Sequence, residues 1–238
     1  MTLVEQRTLL TDLVQLDLDN MAGESPASAD LTAQINFAQR EASKFVRLYY
    51  PKVTFTPVAS QAIYDIQKIS ATAVVDYRVV RPYFVTINGS ILCRPDGYRG
   101  MWTFEDLLSL RASWQSESDA VPTAAVRFSS NKMILSNPPT AAVVSGGNNY
   151  ISGTILAPDL VNDADISILP VEAHESICYL AAIFAAEPLL AVDEAVMRVA
   201  NFNKRAMSNL MEIRDENVRL ISRIGTVQGQ ESEDLLFV

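Results

Sequence analysis

Histidine, cysteine and long apolar runs are scarce in this 238-residue chain, and each shortage closes off a class of function. His174 is the sole histidine. A zinc centre needs three or four ligands, and a serine hydrolase needs a base beside its nucleophile. His174-Glu175-x-x-Cys178 therefore reads as a surface or packing pair. The two cysteines, Cys93 and Cys178, lie far apart and in different structural contexts, so no disulfide framework is expected and both are expected as reduced thiols. The longest apolar run, Ile177 to Ala186, stops at Glu187-Pro188, short of the roughly 20 residues a membrane span needs. The N-terminus carries acidic residues and reaches no signal-peptide core, so a soluble protein of intracellular origin with no membrane partner is expected. Basic residues are also short, with 19 Lys and Arg against 28 Asp and Glu and a formal charge of −9. That balance opposes general duplex binding, which depends on cations displacing condensed counterions. Neither phosphate-cradling glycine motif is present. Asp159, Asp163 and Asp165 lack the dense oxygen set and the glycine of a calcium loop, and read as solvated carboxylates before a helix. No catalytic, cofactor-binding or metal-binding residue is assigned.

Turn formers mark the plan of the chain. Of its 20 prolines and glycines, 15 fall between Pro51 and Pro170. The expected fold class is α+β, with N- and C-terminal helices forming an antiparallel bundle and a β-rich domain inserted between them. The expected divisions are a helix pair over 1–50, the insert over 51–169, a second helix pair over 170–224 and a flexible tail over 225–238. The first helix is predicted from Thr2 to Met21. The second is capped by Asp30, carries Leu31, Ile35, Ala38, Ala42, Phe45 and Tyr49 on one face, and is stopped by Pro51. Within the insert, Asn88-Gly89 is a type I′ hairpin signal that pairs Val85 with Leu92 and Phe84 with Cys93. A second hairpin joins Ala124–Phe128 to Met133–Leu135, and Tyr150 to Leu156 forms another strand. Thr103 and Asp106 have capping-box spacing at the start of a short helix, and Ser145 to Asn149 reads as a loop tip. Pro170 suits the first helical position of the third helix.

The last helix, Asp193 to Ile224, is the strongest pattern. Val196, Val199, Asn203, Ala206, Leu210, Ile213, Asn217, Leu220 and Ile224 step by three and four, a heptad seam. Asn203 and Asn217 share one heptad position, where a buried polar group fixes register and partner number. Both are candidate subunit-interface residues. Arg40, Lys44 and Arg47 form a basic stripe on the second helix. Two readings stand for it: a solvated face with acidic neighbours, or an ion-pairing surface against the first helix of a neighbouring subunit. That first helix carries Glu5, Asp12, Asp17 and Asp19 against Arg7, whereas Ala195 to Ile224 carries six basic residues against three acidic. Such sign separation suits head-to-tail packing of copies.

Several blocks, in order, resemble tailed-bacteriophage head-to-tail adaptor proteins. They begin with the acidic helix, Ile35-Asn36-Phe37-Ala38-Gln39-Arg40-Glu41 and Tyr64-Asp65-Ile66. Arg94-Pro95-Asp96-Gly97-Tyr98, Trp102 to Leu108 and Ile134-Leu135-Ser136-Asn137-Pro138-Pro139 follow. Gly153 to Leu160, Asp163-Ala164-Asp165 and Leu169 to Glu175 close the series. The resemblance spans about residues 2 to 215; the order of the blocks carries it, and Ser145–Asn149 and the end beyond Arg219 depart from it. It implies a structural virion protein without cofactor, assembled in the host cytoplasm and placed in the neck between capsid and tail. It further implies a homo-oligomeric ring of twelve copies beneath the portal, with a tail or nozzle protein below. DNA would pass through the channel without specific binding. Asp12, Asp17 and Asp19 are then candidates to line the channel, where fixed negative charge repels phosphate within about a Debye length of 8 Å. Leu235, Leu236, Phe237 and Val238, on an acidic tether, are candidates to dock on the portal or a neighbouring subunit. Two other classes stay open: another ring-forming phage component such as a tail terminator or tail-hub protein, and an enzyme or ligand-binding module with its pocket in the β insert.

Overall fold

A computed structural model describes residues 1–18, 28–67, 75–92, 101–110, 121–129, 131–145, 147–186 and 193–226. Along the chain these form α1 (Leu3–Leu18), α2 (Ser28–Phe45), β1 (Tyr49–Thr54), β2 (Ile63–Asp65), β3 (Val79–Ile87) and β4 (Ser90–Ile91). There follow α3 (Phe104–Leu110), β5 (Ala125–Arg127), β6 (Lys132–Leu135), α4 (Ala141–Ser145), β7 (Tyr150–Ile155), α5 (Val171–Ala186) and α6 (Asp193–Thr226). The class is α+β. Two compact units result: Met1–Leu48 with Ala157–Val218, and Tyr49–Leu156 with the chain from Arg219 onward.

The first unit is helical. Its apolar positions repeat at helical spacing, so α1 buries Leu3 and Leu10, α2 buries Leu31, Ile35, Ala38 and Ala42, and α5 buries Ala173, Ile177 and Ala181. Alanines on α2 and α5 let these helices approach closely, and α1 packs on both. Each fully buried leucine or isoleucine contributes about 1.5–3 kcal/mol. Thr2 and Glu5 cap α1 reciprocally, backbone N–H to side-chain oxygen, at 2.8 and 3.4 Å. The middle of α6 buries Ala206, Leu210 and Ile213. Phe202 of that helix stacks on Tyr179 of α5 at 5.6 Å, and Arg214 lies 5.1 Å over the Phe45 ring of α2.

The second helix stops earlier than its pattern predicts. Arg47 takes a left-handed φ of 52°. The Leu48 N–H then reaches back to the Ser43 carbonyl at 3.0 Å and the Arg47 N–H to Lys44 at 3.3 Å. That pair of bonds is a Schellman cap with arginine in the position glycine usually holds. Tyr49, Tyr50 and Pro51 consequently belong to β1, and Pro51 is tolerated because β1 is an edge strand. Left-handed backbone costs a side-chain-bearing residue about 1–2 kcal/mol. Arg47→Gly should therefore stabilise the helical unit by about 0.5–1 kcal/mol after glycine's entropy is counted. A denaturant midpoint that does not rise would show that Arg47 makes a compensating contact.

The far end of the insert, expected at residue 169, is where the two compact units divide differently from the sequence plan. Residues 157–169 stay with the helices. The Asn36 amide donates to the Leu160 carbonyl at 2.9 Å and its oxygen accepts the Leu160 N–H at 2.8 Å. The Gln39 amide donates to the Pro158 carbonyl at 2.5 Å, and the Leu3 N–H donates to the Asp165 carbonyl at 2.8 Å. These backbone-directed bonds tie the segment to α1 and α2.

The second unit holds two antiparallel sheets, ordered β1-β7-β3-β4 and β2-β6-β5. Asn88 and Gly89 adopt φ of 50° and 78°, as a type I′ turn demands, and the Leu92 N–H meets the Val85 carbonyl at 2.9 Å. Cys93, its other predicted hairpin pairing, lies outside the described residues. The β5–β6 hairpin pairs Val126 with Ile134, in the stretch expected. Thr103 and Asp106 exchange the two capping-box bonds at 3.1 Å each. Ser145 to Asn149 is not a free tip. Ser145 ends α4, the Asn149 side chain accepts the Asn88 N–H at 2.9 Å, and the Asn148 carbonyl accepts the Gly89 N–H at 3.0 Å. The turn's own donors need acceptors, and these two asparagines supply them. Leu107, Val126 and Ile134 form a core with Trp102 and Phe104 packed against it.

Candidate assembly surfaces and an arginine-lined pocket

The acidic cluster before α5 is engaged inside the first unit. Asp159 pairs with Arg40 at 2.7 Å, Asp163 pairs with Arg7, and Asp165 accepts the Val161 and Asn162 N–H groups at 2.7 and 2.8 Å. Those two backbone bonds hold the Asp165 carboxyl below its usual range. Among the described residues, no set of three or more His, Cys, Asp or Glu is placed to hold a metal. Cys178 is buried, and burial pushes its thiol up to about 12, far from a reactive thiolate.

His174 is buried as well. Its Nε2 faces the Leu169 carbonyl at 3.0 Å, and a carbonyl can only accept, so that nitrogen carries the proton. Nδ1 then accepts from the Met1 amine at 2.7 Å, which makes the ring neutral. Burial lowers its pKa below 6.5, the Leu169 bond opposes the shift, and the nearby ammonium adds to it. A folded-state pKa below the unfolded one means the unfolded chain binds more protons on acidification. The contribution is thus full above pH 6.5 and is lost as pH falls toward the depressed value. Denaturant midpoints compared at pH 7.5 and 5.5 should drop for the native chain and drop less for His174→Gln. Equal drops would place the pH sensitivity elsewhere.

The basic stripe is divided by the structure. Arg40 and Lys44 sit on α2 with acidic partners in their own chain, Asp159 and, at 2.5 Å, Glu41. Arg47 lies beyond the helix at its cap and is exposed. Asn203 is exposed on α6, whereas Asn217 donates to the Val46 carbonyl at 2.9 Å, satisfying the end of α2 within the subunit. Asp12 is exposed on α1. Asp17 lies in the last turn of the same helix with its side chain outside the described set, and Asp19 and Leu235, Leu236, Phe237 and Val238 lie outside the described residues altogether. Among the seam residues whose side chains are described, burial is confined to Ala206, Leu210 and Ile213 in the middle of α6, and Leu220 is exposed. Beside it runs a stripe the heptad reading missed: Met197, Met211 and Val218, at multiples of seven, are 64%, 53% and 36% exposed.

The second unit also holds a pocket of about 530 Å³, in the β insert where a ligand-binding reading would put one, although no local sequence signal marks its lining. Arg81 and Arg127 line it together with Tyr49, Tyr83, Trp102 and Phe128. β3 supplies Arg81 and Tyr83, and the strand pleat turns them the same way at i and i+2. The Arg81 guanidinium lies 5.7 Å from the Tyr83 ring centre, and Phe128 meets Phe104 edge-on at 5.0 Å. Burial raises the Tyr49 hydroxyl to about 12, with Ser152 opposing, so it stays protonated. Neither arginine has a carboxylate within ion-pair distance among the described residues, and Glu105 is the acid on the wall. The lining suits a ligand with negative charge and an apolar end.

No family model matches this chain, and no curated protein matches it. No helix among the described residues is long and apolar enough to cross a membrane.

Proposed function

We propose that this chain is a ring-forming structural component of a tailed bacteriophage, a head-to-tail adaptor that sits beneath the portal, extends the DNA channel and docks the tail. The observation that carries the reading is α6. It is 34 residues long, about 51 Å at 1.5 Å per residue, and leaves Met197, Met211 and Val218 exposed beside a buried seam. Exposed apolar residues in heptad register are what a neighbouring helix buries. The order of sequence blocks shared with adaptors supports the same assignment. In this reading the terminal helices pack as an antiparallel bundle with the β-rich unit inserted between them, and Asn203 and Arg47 face the next copy. With a charge of −9 per copy, twelve copies carry about −108 formal charges. Acidic side chains such as Asp12 on the bore then keep packaged DNA from sticking.

The test is mass measurement of the purified protein with and without the portal of its phage. An adaptor stays monomeric or weakly associated alone and forms a stoichiometric ring on the portal. A protein that caps isolated tail tubes instead is a tail terminator, and one that ignores both while turning over a small molecule is an enzyme.

A further inference from the structure

We propose that the pocket bearing Arg81 and Arg127 is the docking site for this chain's own residues 227–238, held in cis. The inference goes beyond the adaptor reading and does not depend on it. Three observations meet here.

The first is charge. Arg81 presents its guanidinium beside the Tyr83 ring and Arg127 lines the same pocket, and neither has an ion-pair partner among the described residues. An arginine held against aromatic rings favours an acidic partner it can bond in a partly dry setting. Residues 227–238 hold Glu231, Glu233 and Asp234 and no lysine or arginine.

The second is the order of residue types. The three acids are followed directly by Leu235-Leu236-Phe237-Val238. Tyr49, Tyr83, Trp102 and Phe128 offer an apolar wall beside the two cations, so one extended segment can place carboxylates on the arginines and apolar side chains on the rings.

The third is reach. Ile221, in the part of α6 that belongs to this same unit, lines the pocket, and the helix continues only to Thr226. Five helical residues advance the chain by about 7.5 Å. The twelve that follow span up to about 40 Å when extended, several times the distance needed to return. A tether this short supplies a local concentration on the order of millimolar, so a weak contact suffices.

Hydrogen exchange on the full chain tests this. Amides of 229–238 should exchange about tenfold more slowly than in a free peptide of the same sequence, the slowing a modest bound fraction gives. Arg81→Glu with Arg127→Glu should return them to the peptide rate while β3 and β7 amides keep theirs. If that variant loosens the sheet, Glu231→Lys, Glu233→Lys and Asp234→Lys give the same readout from outside the fold. Joining the two sets of reversals should restore the slowing. Peptide-like exchange in the native chain overturns the proposal, as does slowing that survives charge reversal. Slowing that grows with protein concentration overturns it too, by assigning the pocket to the tail of a second copy.

Discussion

Gly153→Ala lowers the stability of the second unit by about 3 kcal/mol, the upper end of what overpacking costs. A Cβ at this position would lie 2.4 Å from the Arg81 carbonyl oxygen and 2.9 Å from the Pro82 Cα. Both atoms are backbone of β3, so no rotamer change relieves the clash. β7 is also held from the other side, where Gly153 pairs with Tyr50 of β1. Proline has a fixed φ, and the β3–β7 register shifts on either side of Arg81 and Pro82, so this stretch is already bent around its partner. Gly147→Ala is the contrast. Nothing lies within 4 Å of its Cβ, and only its φ of 82° resists, so about 1 kcal/mol is expected there. Urea unfolding followed by exchange of β3 and β7 amides measures both. Equal losses for the two variants would show that β3 moves aside and that close approach is not what Gly153 provides.

Where a feature depends on a few adjacent residues, the sequence showed it. Asn88-Gly89 and the Thr103–Asp106 pair each satisfy their own backbone groups, so their turn and cap are legible without tertiary context. The end of α2 was hidden because its left-handed residue is Arg47, whose side chain gives no cue, while Pro51 offered a false stop that an edge strand accepts. Asn148 and Asn149 look like loop residues because loop composition does not reveal what a side chain will accept from a distant turn. For the site, the limit is topological. Arg81 and Arg127 sit on strands of two different sheets, and nothing local to either signals the other. The heptad position of Asn217 predicts a polar residue on a helix-packing seam, and that position does not say which helix end lies opposite; here it is the Val46 carbonyl. The sequence found α6 and its seam, but only burial distinguished the face turned inward from the stripe left out.

That stripe yields the largest expected effect on assembly. If copies meet along this stripe in the ring proposed above, Met211→Glu with Val218→Glu should abolish ring formation on the portal while leaving the monomer folded. In the isolated subunit both side chains are exposed, so the substitutions change stability by no more than about 0.5 kcal/mol. In the proposed ring, the same positions would be pressed against a neighbour and dried. An unpaired carboxylate there costs several kcal/mol of effective desolvation, and a ring repeats that cost at every contact. Lys204 occupies the same heptad position between Met197 and Met211 and is exposed, seven residues before the new carboxylate at position 211. One turn of helix carries about 5.4 Å, which puts that pair two turns apart, whereas Arg214, three residues after position 211 and four before position 218, offsets part of the cost of one of the two carboxylates and leaves the other uncompensated. Native mass measurement on the portal, with far-ultraviolet circular dichroism as the folding control, separates the cases. Full rings from a folded double variant would place the subunit contact on another face, with the charged positions Arg40, Lys44 and Arg47 next in line. Loss of rings with an intact fold would instead identify α6 as the rod along which copies meet, and would explain why so long a helix buries so little of itself within one chain.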